Sequence, residues 1–350
     1  MNRQWILVAR PTGLVDDECF ALRSAEVPSP GPGEALVRVV WLGFDPTQRG
    51  WLNDGPNYLD PVPLGAVMRG SGVGQVVASN SAEYAVGDWV YGMVGWQDYV
   101  LATGQGLLGL NVVPPGVDPK AMLGIFGATG LTAYFGMVDI GEPSAGDTVV
   151  VSGAAGATGS IAGQIAKALG CRVIGIAGGP AKCAWVNEVA GFDACVDYRT
   201  EDVEARLREL APDGIDVFFD NVGGPILDAA LATLAERARI VVCGGVSSGY
   251  TAGEPPPGPR NYLHLGLKRA RMEGFIFLDY LDRFPEAFGR LHAWLAEGRI
   301  VYAEDVAEGF DRAPALLRGL FEGRNLGKQL LRIAECSSPH DGREWGTVVS

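Results

Sequence analysis

Three glycines spaced three apart, Gly153, Gly156 and Gly159, follow closely on the β-branched run from Thr148 to Val151. Such a run suits a strand buried on both faces of a parallel sheet. Beyond the glycines, Ile161, Ile165 and Leu169 recur at helical spacing. A strand that breaks into a glycine turn and opens a helix can bind a phosphate. It offers backbone N–H groups and the positive end of a helix dipole. Ala154-x-Gly156-x-x-Gly159 matches the dinucleotide fingerprint with alanine in place of its first glycine. Gly156 is expected to let a pyrophosphate approach the backbone, and Gly159 to let helix and strand pack closely.

The residue that ends the second strand of such a fold selects between NAD and NADP. A carboxylate there accepts from the ribose 2′-hydroxyl, whereas a 2′-phosphate requires its absence and nearby cations. The strand from Arg172 to Ala177 runs into Gly178, Gly179 and Pro180 with no acidic residue. Lys182 follows at once, and Arg199 stands after the third strand beside Tyr198. Together these residues favour NADP(H).

The elements that must position this turn are read from periodicity. Strands are expected at 35–42, 72–78, 89–94 and 97–102, with glycine and proline punctuating them. Residues 122–138 read as a helix at a domain junction. From Thr148 onward strands at 172–177, 194–197, 215–219 and 239–243 alternate with helices near 181–190, 201–210 and 225–235. That alternation predicts an α/β fold, a doubly wound parallel sheet with helices on both faces. A strand at 274–278 and a helix to about Leu295 complete it. The proline-rich segment from Gly253 to Pro259 lies just past a strand end, where ligands of open α/β sheets bind. The polar stretch 337–350 is expected to be a flexible tail.

Composition narrows the partners. The 350 residues are 47% apolar and carry a net charge of −13, which argues against nucleic acid and anionic membranes as partners. An anion site must then be a local basic pocket. The six cysteines and three histidines show no pair at metal-ligand spacing, so no metal site is expected. The cysteines read as small buried hydrophobes in a reducing compartment. Neither a signal peptide nor a membrane-length apolar run is evident, and a cytoplasmic location is expected.

Several distant motifs in one order carry a resemblance. They are Asp45-Pro46 with Arg49-Gly50, Val67 to Gly70, Gly95 to Tyr99, the glycine turn, Asp220 to Gly224, Cys243-Gly244, Arg271 to Phe275 and Asn325 to Lys328. From about Leu36 to Ile333 the chain resembles the zinc-independent medium-chain dehydrogenase/reductases, in their prostaglandin and curcumin reductase branch. The zinc enzymes of that superfamily usually carry Gly-His-Glu where this chain has Arg69 to Gly72. The resemblance implies a catalytic domain with a partly open GroES-like barrel at 1–127 and 304–336, and a Rossmann cofactor domain at 128–303. It implies NADPH-dependent reduction of the carbon–carbon double bond of α,β-unsaturated ketones and aldehydes, and a homodimer as a plausible assembly.

By motif position, Gly156, Ala157, Thr158 and Gly159 would hold the pyrophosphate and Lys182 the 2′-phosphate. Tyr198, Asn221, the run Cys243, Gly244, Gly245, Val246 and Ser247, the segment Phe275, Ile276 and Phe277, and Asn325 would line the rest of the cofactor. The chain departs from the pattern at Thr47, where the family often has tyrosine, and at Leu267, where mammalian members carry tyrosine. For a phenol that protonates the product, Tyr58 and Tyr250 are the candidates, and Trp51 is a candidate apolar wall. A quinone reductase on the same scaffold and a non-catalytic NADPH-binding protein are the alternatives, since one fold hosts many functions.

Overall fold

A computed structural model describes residues 1–55, 57–248 and 258–335. Among these the chain forms two compact units, one of residues 1–123 and 304–335, the other of residues 124–248 and 258–303. Tyr250, the stretch 253–257 of the proline-rich loop, Cys336 and the tail 337–350 lie outside the described residues.

The first unit is built on a seven-stranded mixed sheet that does not close into a barrel. Its spine is the strand Ala35–Gly43, nearly all of it buried. One edge of that strand pairs Ser71–Ser79. The opposite edge is shared: its first half pairs Tyr99–Ala102 and its last residues pair Lys328–Arg332. The C-terminal strands therefore complete a sheet that the N-terminal half begins. The strands Asn2–Leu7 and Phe20–Ala25 form a separate antiparallel pair that the sequence reading did not include. Leu7, Val37, Leu42, Phe44, Leu52, Met68 and Trp96 fill the core between these layers.

The second unit carries a six-stranded, wholly parallel sheet in the spatial order 194–197, 172–177, 148–152, 215–220, 234–242 and 271–274. Sequence order reverses between Thr148–Ser152 and Ile215–Asp220. At that switch point a doubly wound sheet opens a crevice at its strand ends. Val150, Ile174, Val196, Phe218 and Ile240 pack the core beneath it.

Three expected elements are corrected. The predicted helix over 122–138 is three pieces: a 3₁₀ turn Pro119–Leu123, an α-helix Ala128–Phe135 and a wider-wound turn Gly136–Gly141. The interruption falls at 124–127, and within the α-helix that follows Gly130 packs so closely on the preceding turn that a Cβ would lie 1.8 Å from the Ile125 carbonyl oxygen. The last parallel strand is Arg271–Gly274 rather than 274–278, because Phe277–Arg283 winds into a 3₁₀ turn. The fifth strand begins at Leu234, earlier than expected.

Helix Ala128–Phe135 is tied to helix Phe284–Ala296 by the buried Tyr134, whose hydroxyl donates to Glu286 Oε1 at 2.9 Å. Burial, then the carboxylate, pushes the Tyr134 pKa up to about 12 from the usual 10. Between those values the folded protein keeps a proton that the unfolded chain has lost, so stability falls as pH rises from 10 toward 12. Thermal midpoints measured across that range should drop more steeply for the wild type than for Tyr134→Phe. Equal slopes would show that this proton is not linked to folding.

Candidate active site

The carboxyl end of the parallel sheet gathers most of the expected cofactor residues. Strand Thr148–Ser152 ends in a turn that leads to helix Ala157–Ala168, with Gly156 as an extended N-cap and no side chain capping the helix start. The first N–H groups of a helix have no intrahelical acceptor, so this end is suited to an anion. Gly153 supplies the left-handed step of the turn, at φ +61°. That role lies one residue before Ala154, where the sequence pattern had located the missing glycine. A Cβ on Gly159 would sit 2.3 Å from the Gly153 carbonyl oxygen, so helix and turn meet at backbone distance. A Cβ on Gly156 would meet only that same oxygen, at 3.1 Å. The turn thus presents backbone rather than side chains at the uncapped helix start.

The neighbouring strand end is locked to this turn. Ser152 Oγ donates to Asp220 Oδ1 at 2.8 Å and accepts from the Asn221 backbone N–H at 2.8 Å. Asn221 Nδ2 donates to the Ser152 carbonyl at 2.7 Å. Asp220 Oδ1 also accepts from the N–H groups of Val222 and Gly223. Burial raises the Asp220 pKa, and these hydrogen bonds oppose the rise. The backbone of Cys243 and Gly244 donates to the Asp220 carbonyl, and Val246 and Ser247 donate to those of Asn221 and Val222. The run 243–247 is thereby stitched to 220–222. Burial pushes the Cys243 thiol up to about 12, so it stays neutral.

At the second and third strand ends, Asp197 Oδ1 accepts from the backbone N–H of Gly179 at 2.8 Å and of Arg199 at 3.0 Å. Those two bonds hold its carboxyl below the usual range. The phenol of Tyr198 lies over Gly178, where a Cβ would come within 2.7 Å of its hydroxyl. Lys182 stands in the first turn of helix Pro180–Glu188, and Arg199 Nη1 is 3.7 Å from the position of a Gly179 Cβ. The loop from Gly178 to Pro180 thus lies near both predicted cations. Its organising carboxylate, Asp197, was missed by sequence reasoning. An acid closing a short parallel strand was the available signal.

Phe275 and Phe277 use their rings for packing. Phe275 lies against Gly136, and Phe277 stacks on Phe284 with centroids 5.9 Å apart. What the segment 275–277 can offer a cofactor is chiefly backbone and Ile276.

In the first unit, Asp45 and Pro46 lead into the helical turn Thr47–Gly50. Arg49 is fully buried and serves the fold. Its guanidinium donates to the carbonyls of Pro11 and Gly13 and to Asn53 Oδ1. Trp51 is core, 4% exposed, with Arg69 over its ring. The Tyr58 hydroxyl is hydrogen-bonded to Thr47 Oγ1. The residue that departs from the family's tyrosine is therefore the one that holds Tyr58. Tyr58 is 44% exposed as a whole. Desolvation nevertheless raises its pKa, and the Thr47 bond offsets part of the rise. It remains a neutral phenol, able to donate a proton, through the physiological range. Buried Lys328 pairs with Asp45. Asn325 turns its amide onto the Gly327 carbonyl at 2.8 Å. Leu267 is exposed.

Among the described residues no three His, Cys, Asp or Glu side chains gather as a metal site. Nor, among them, is any helix long and apolar enough to cross a membrane.

Comparison with known proteins fits this architecture. Residues 3–110 match the family described as the N-terminal domain of oxidoreductase, and residues 157–296 match that described as zinc-binding dehydrogenase. The NADPH-dependent curcumin reductase of Escherichia coli K12 is 44% identical over 95% of this chain and 97% of its own. The NADP-dependent 2-alkenal reductase of Nicotiana tabacum is 37% identical over 95% and 98%. The crystal structure of CurA from Vibrio vulnificus in complex with NADPH superposes with a TM-score of 0.89. It is 43% identical and covers 95% of this chain and all of that one. The chain belongs to the medium-chain dehydrogenase/reductases. Within them it falls in the zinc-independent prostaglandin and curcumin reductase branch. As a member of that branch it is an NADP(H)-dependent oxidoreductase. The residues present fit the cofactor, because the helix N–H groups at this turn carry no side-chain cap and the glycines bring no side chain over them.

Proposed function

We propose that this protein reduces the carbon–carbon double bond of α,β-unsaturated ketones and aldehydes with NADPH and leaves the carbonyl in place. The observation that carries the reading is the company of relatives matched along nearly the whole chain. They are a curcumin reductase, a 2-alkenal reductase, prostaglandin reductases and a (+)-pulegone reductase, at 35–44% identity over 94–97% of this chain. A conjugated carbonyl is the chemistry these substrates share.

Bound NADPH supplies the hydride, delivered to the β-carbon. The Gly156–Gly159 backbone holds the pyrophosphate, and Lys182 and Arg199 hold the 2′-phosphate. Tyr198, Asn221, the loop 243–247, the segment 275–277 and Asn325 line the remainder. As charge collects on the substrate oxygen, each hydrogen-bond donor aimed at it contributes about 2.7–4 kcal/mol. Tyr58, kept neutral and held by Thr47, passes a proton to the α-carbon. We assign the catalytic part to 1–127 with 304–336 and the cofactor part to 128–303, and we place the enzyme in the cytoplasm as a homodimer.

The test follows the isotope. Turnover of an enone with NADPH deuterated at the transferable C4 position should place deuterium on the β-carbon of a saturated ketone. Deuterium on the carbinol carbon of an allylic alcohol would overturn the reading, and turnover of quinones alone would move the enzyme to quinone reduction. Tyr58→Phe should lower kcat about tenfold, less than the roughly 10²–10⁴ typical of a general acid, because water can substitute. Its KM for NADPH should stay unchanged. An unaffected kcat would remove Tyr58 from the chemistry, and Tyr250→Phe made in parallel tests the other phenol.

A further inference from the structure

Two cysteines outside the proposed chemistry face each other in the cofactor-binding unit. Cys183 stands in the first turn of helix Pro180–Glu188, and Cys195 in the strand Ala194–Asp197 at the edge of the parallel sheet. Their sulfurs are 2.9 Å apart, with Cys195 Sγ donating to Cys183 Sγ. Both residues are half-buried rather than sealed in the core. Cys195 Sγ also lies 3.9 Å from the Val196 carbonyl; two other thiols have oxygen partners only, Cys19 Sγ donating to Asp16 Oδ1 at 3.2 Å and Cys171 Sγ to the Ser144 carbonyl at 3.4 Å.

We propose that Cys183 and Cys195 form a modification site, a dithiol that a peroxide oxidises to an intramolecular disulfide. The sulfurs need to approach by only about 0.9 Å to reach the disulfide bond length of about 2.05 Å. The hydrogen bond assigns the order of events. Cys183 is the acceptor, so its thiolate is the one stabilised by a neighbouring S–H, although burial raises both thiols. The Cys183 thiolate attacks one peroxide oxygen and the O–O bond breaks. This leaves a sulfenic acid on Cys183 and releases hydroxide, which takes up a proton to become water. The Cys195 sulfur then attacks the sulfenic sulfur, the S–O bond breaks, a second water leaves and the S–S bond forms. In sum two thiols and hydrogen peroxide give one disulfide and two waters, with the peroxide reduced. The bond would pin the turn that carries Lys182 to the strand that leads into Tyr198 and Arg199.

The sequence makes the test direct. Trypsin cuts after Lys182 and Arg199, and residues 183–199 contain no other Lys or Arg, so both cysteines fall in one peptide. The folded protein is treated with hydrogen peroxide, its free thiols are blocked with iodoacetamide, and it is digested without reductant. The peptide should then be lighter by two hydrogens and carry no alkyl group, and prior treatment with a dithiol reductant should restore two alkyl groups. Cys183→Ser and Cys195→Ser should each abolish that species, whereas Cys19→Ser should not. Retention of two alkylatable thiols after peroxide would overturn the proposal. Added oxygen on Cys183 beside an alkylated Cys195 would do the same.

Discussion

Replacing Gly159 by alanine is expected to weaken NADPH binding by at least about a hundredfold and to lower the melting temperature as well. The new Cβ would lie 2.3 Å from the Gly153 carbonyl oxygen and 2.9 Å from its carbon. These are backbone atoms in a turn fixed by the positive φ of Gly153, so no flexible side chain can step aside. Overpacking of this kind costs about 1–3 kcal/mol. Relief requires the start of helix Ala157–Ala168 to shift, which moves the N–H groups that receive the pyrophosphate. Charge-assisted hydrogen bonds are worth about 1.5–3 kcal/mol each, so loss of two accounts for the expected drop in affinity. Gly156→Ala is the contrasting variant. Its Cβ would meet only the Gly153 oxygen, at 3.1 Å, so the melting temperature should fall less than for Gly159→Ala, while a methyl group at the helix N-cap should still lower affinity. Calorimetric titration with NADPH beside a thermal melt separates the two cases. If Gly159→Ala bound NADPH normally, the turn would not be the pyrophosphate site.

The alternation of strands and helices after Thr148 was legible because Thr148–Ser152, Arg172–Ala177 and Ile215–Asp220 are largely apolar, whereas Arg271–Gly274 is polar and was misplaced. The N-terminal pair Asn2–Leu7 and Phe20–Ala25 was not legible. Its strands mix polar and apolar residues on both faces, so they leave no local period to read. The helix over 122–138 failed because its apolar spacing hides a break at 124–127, between the 3₁₀ turn and the α-helix, where Gly124 and Gly127 were the available signal. Within the candidate site, the glycine turn and the cations were readable from residue type. Gly153 was read as part of the turn, but its left-handed role was not assigned because the usual fingerprint counts from a different position. Asp197 and Asp220 act by binding backbone N–H groups of loops that exist only once the sheet has formed. Thr47 looked like a loss against the family's tyrosine, and only the fold shows its hydroxyl meeting that of Tyr58.

Replacing Lys182 by alanine should cost about 1.5–3 kcal/mol in NADPH binding, roughly ten- to a hundredfold, and leave NADH binding nearly unchanged. The second strand ends at Ala177 without a carboxylate aimed at a ribose. The nearest acid, Asp197, spends one oxygen on the N–H groups of Gly179 and Arg199, which fixes the loop in place. Gly179 turns that loop at φ +97°, and the helix bearing Lys182 begins at the next residue. Arg199 approaches the same glycine, so two cations flank one short segment of backbone in a chain whose net charge is −13. Against that overall field, a dianionic 2′-phosphate needs both of them. Removing Lys182 deletes one contact that NADH never makes, so the loss should appear in NADPH affinity alone. Added salt should narrow the wild-type preference, since these groups reach solvent and are screened within about 8–10 Å at ordinary ionic strength. Steady-state KM values for both nucleotides, in wild type and Lys182→Ala at two salt concentrations, measure this. Equal losses for NADPH and NADH would mean that Lys182 supports the loop rather than the phosphate. A wild type that prefers NADH would overturn the reading of the whole segment from Ala177 to Lys182.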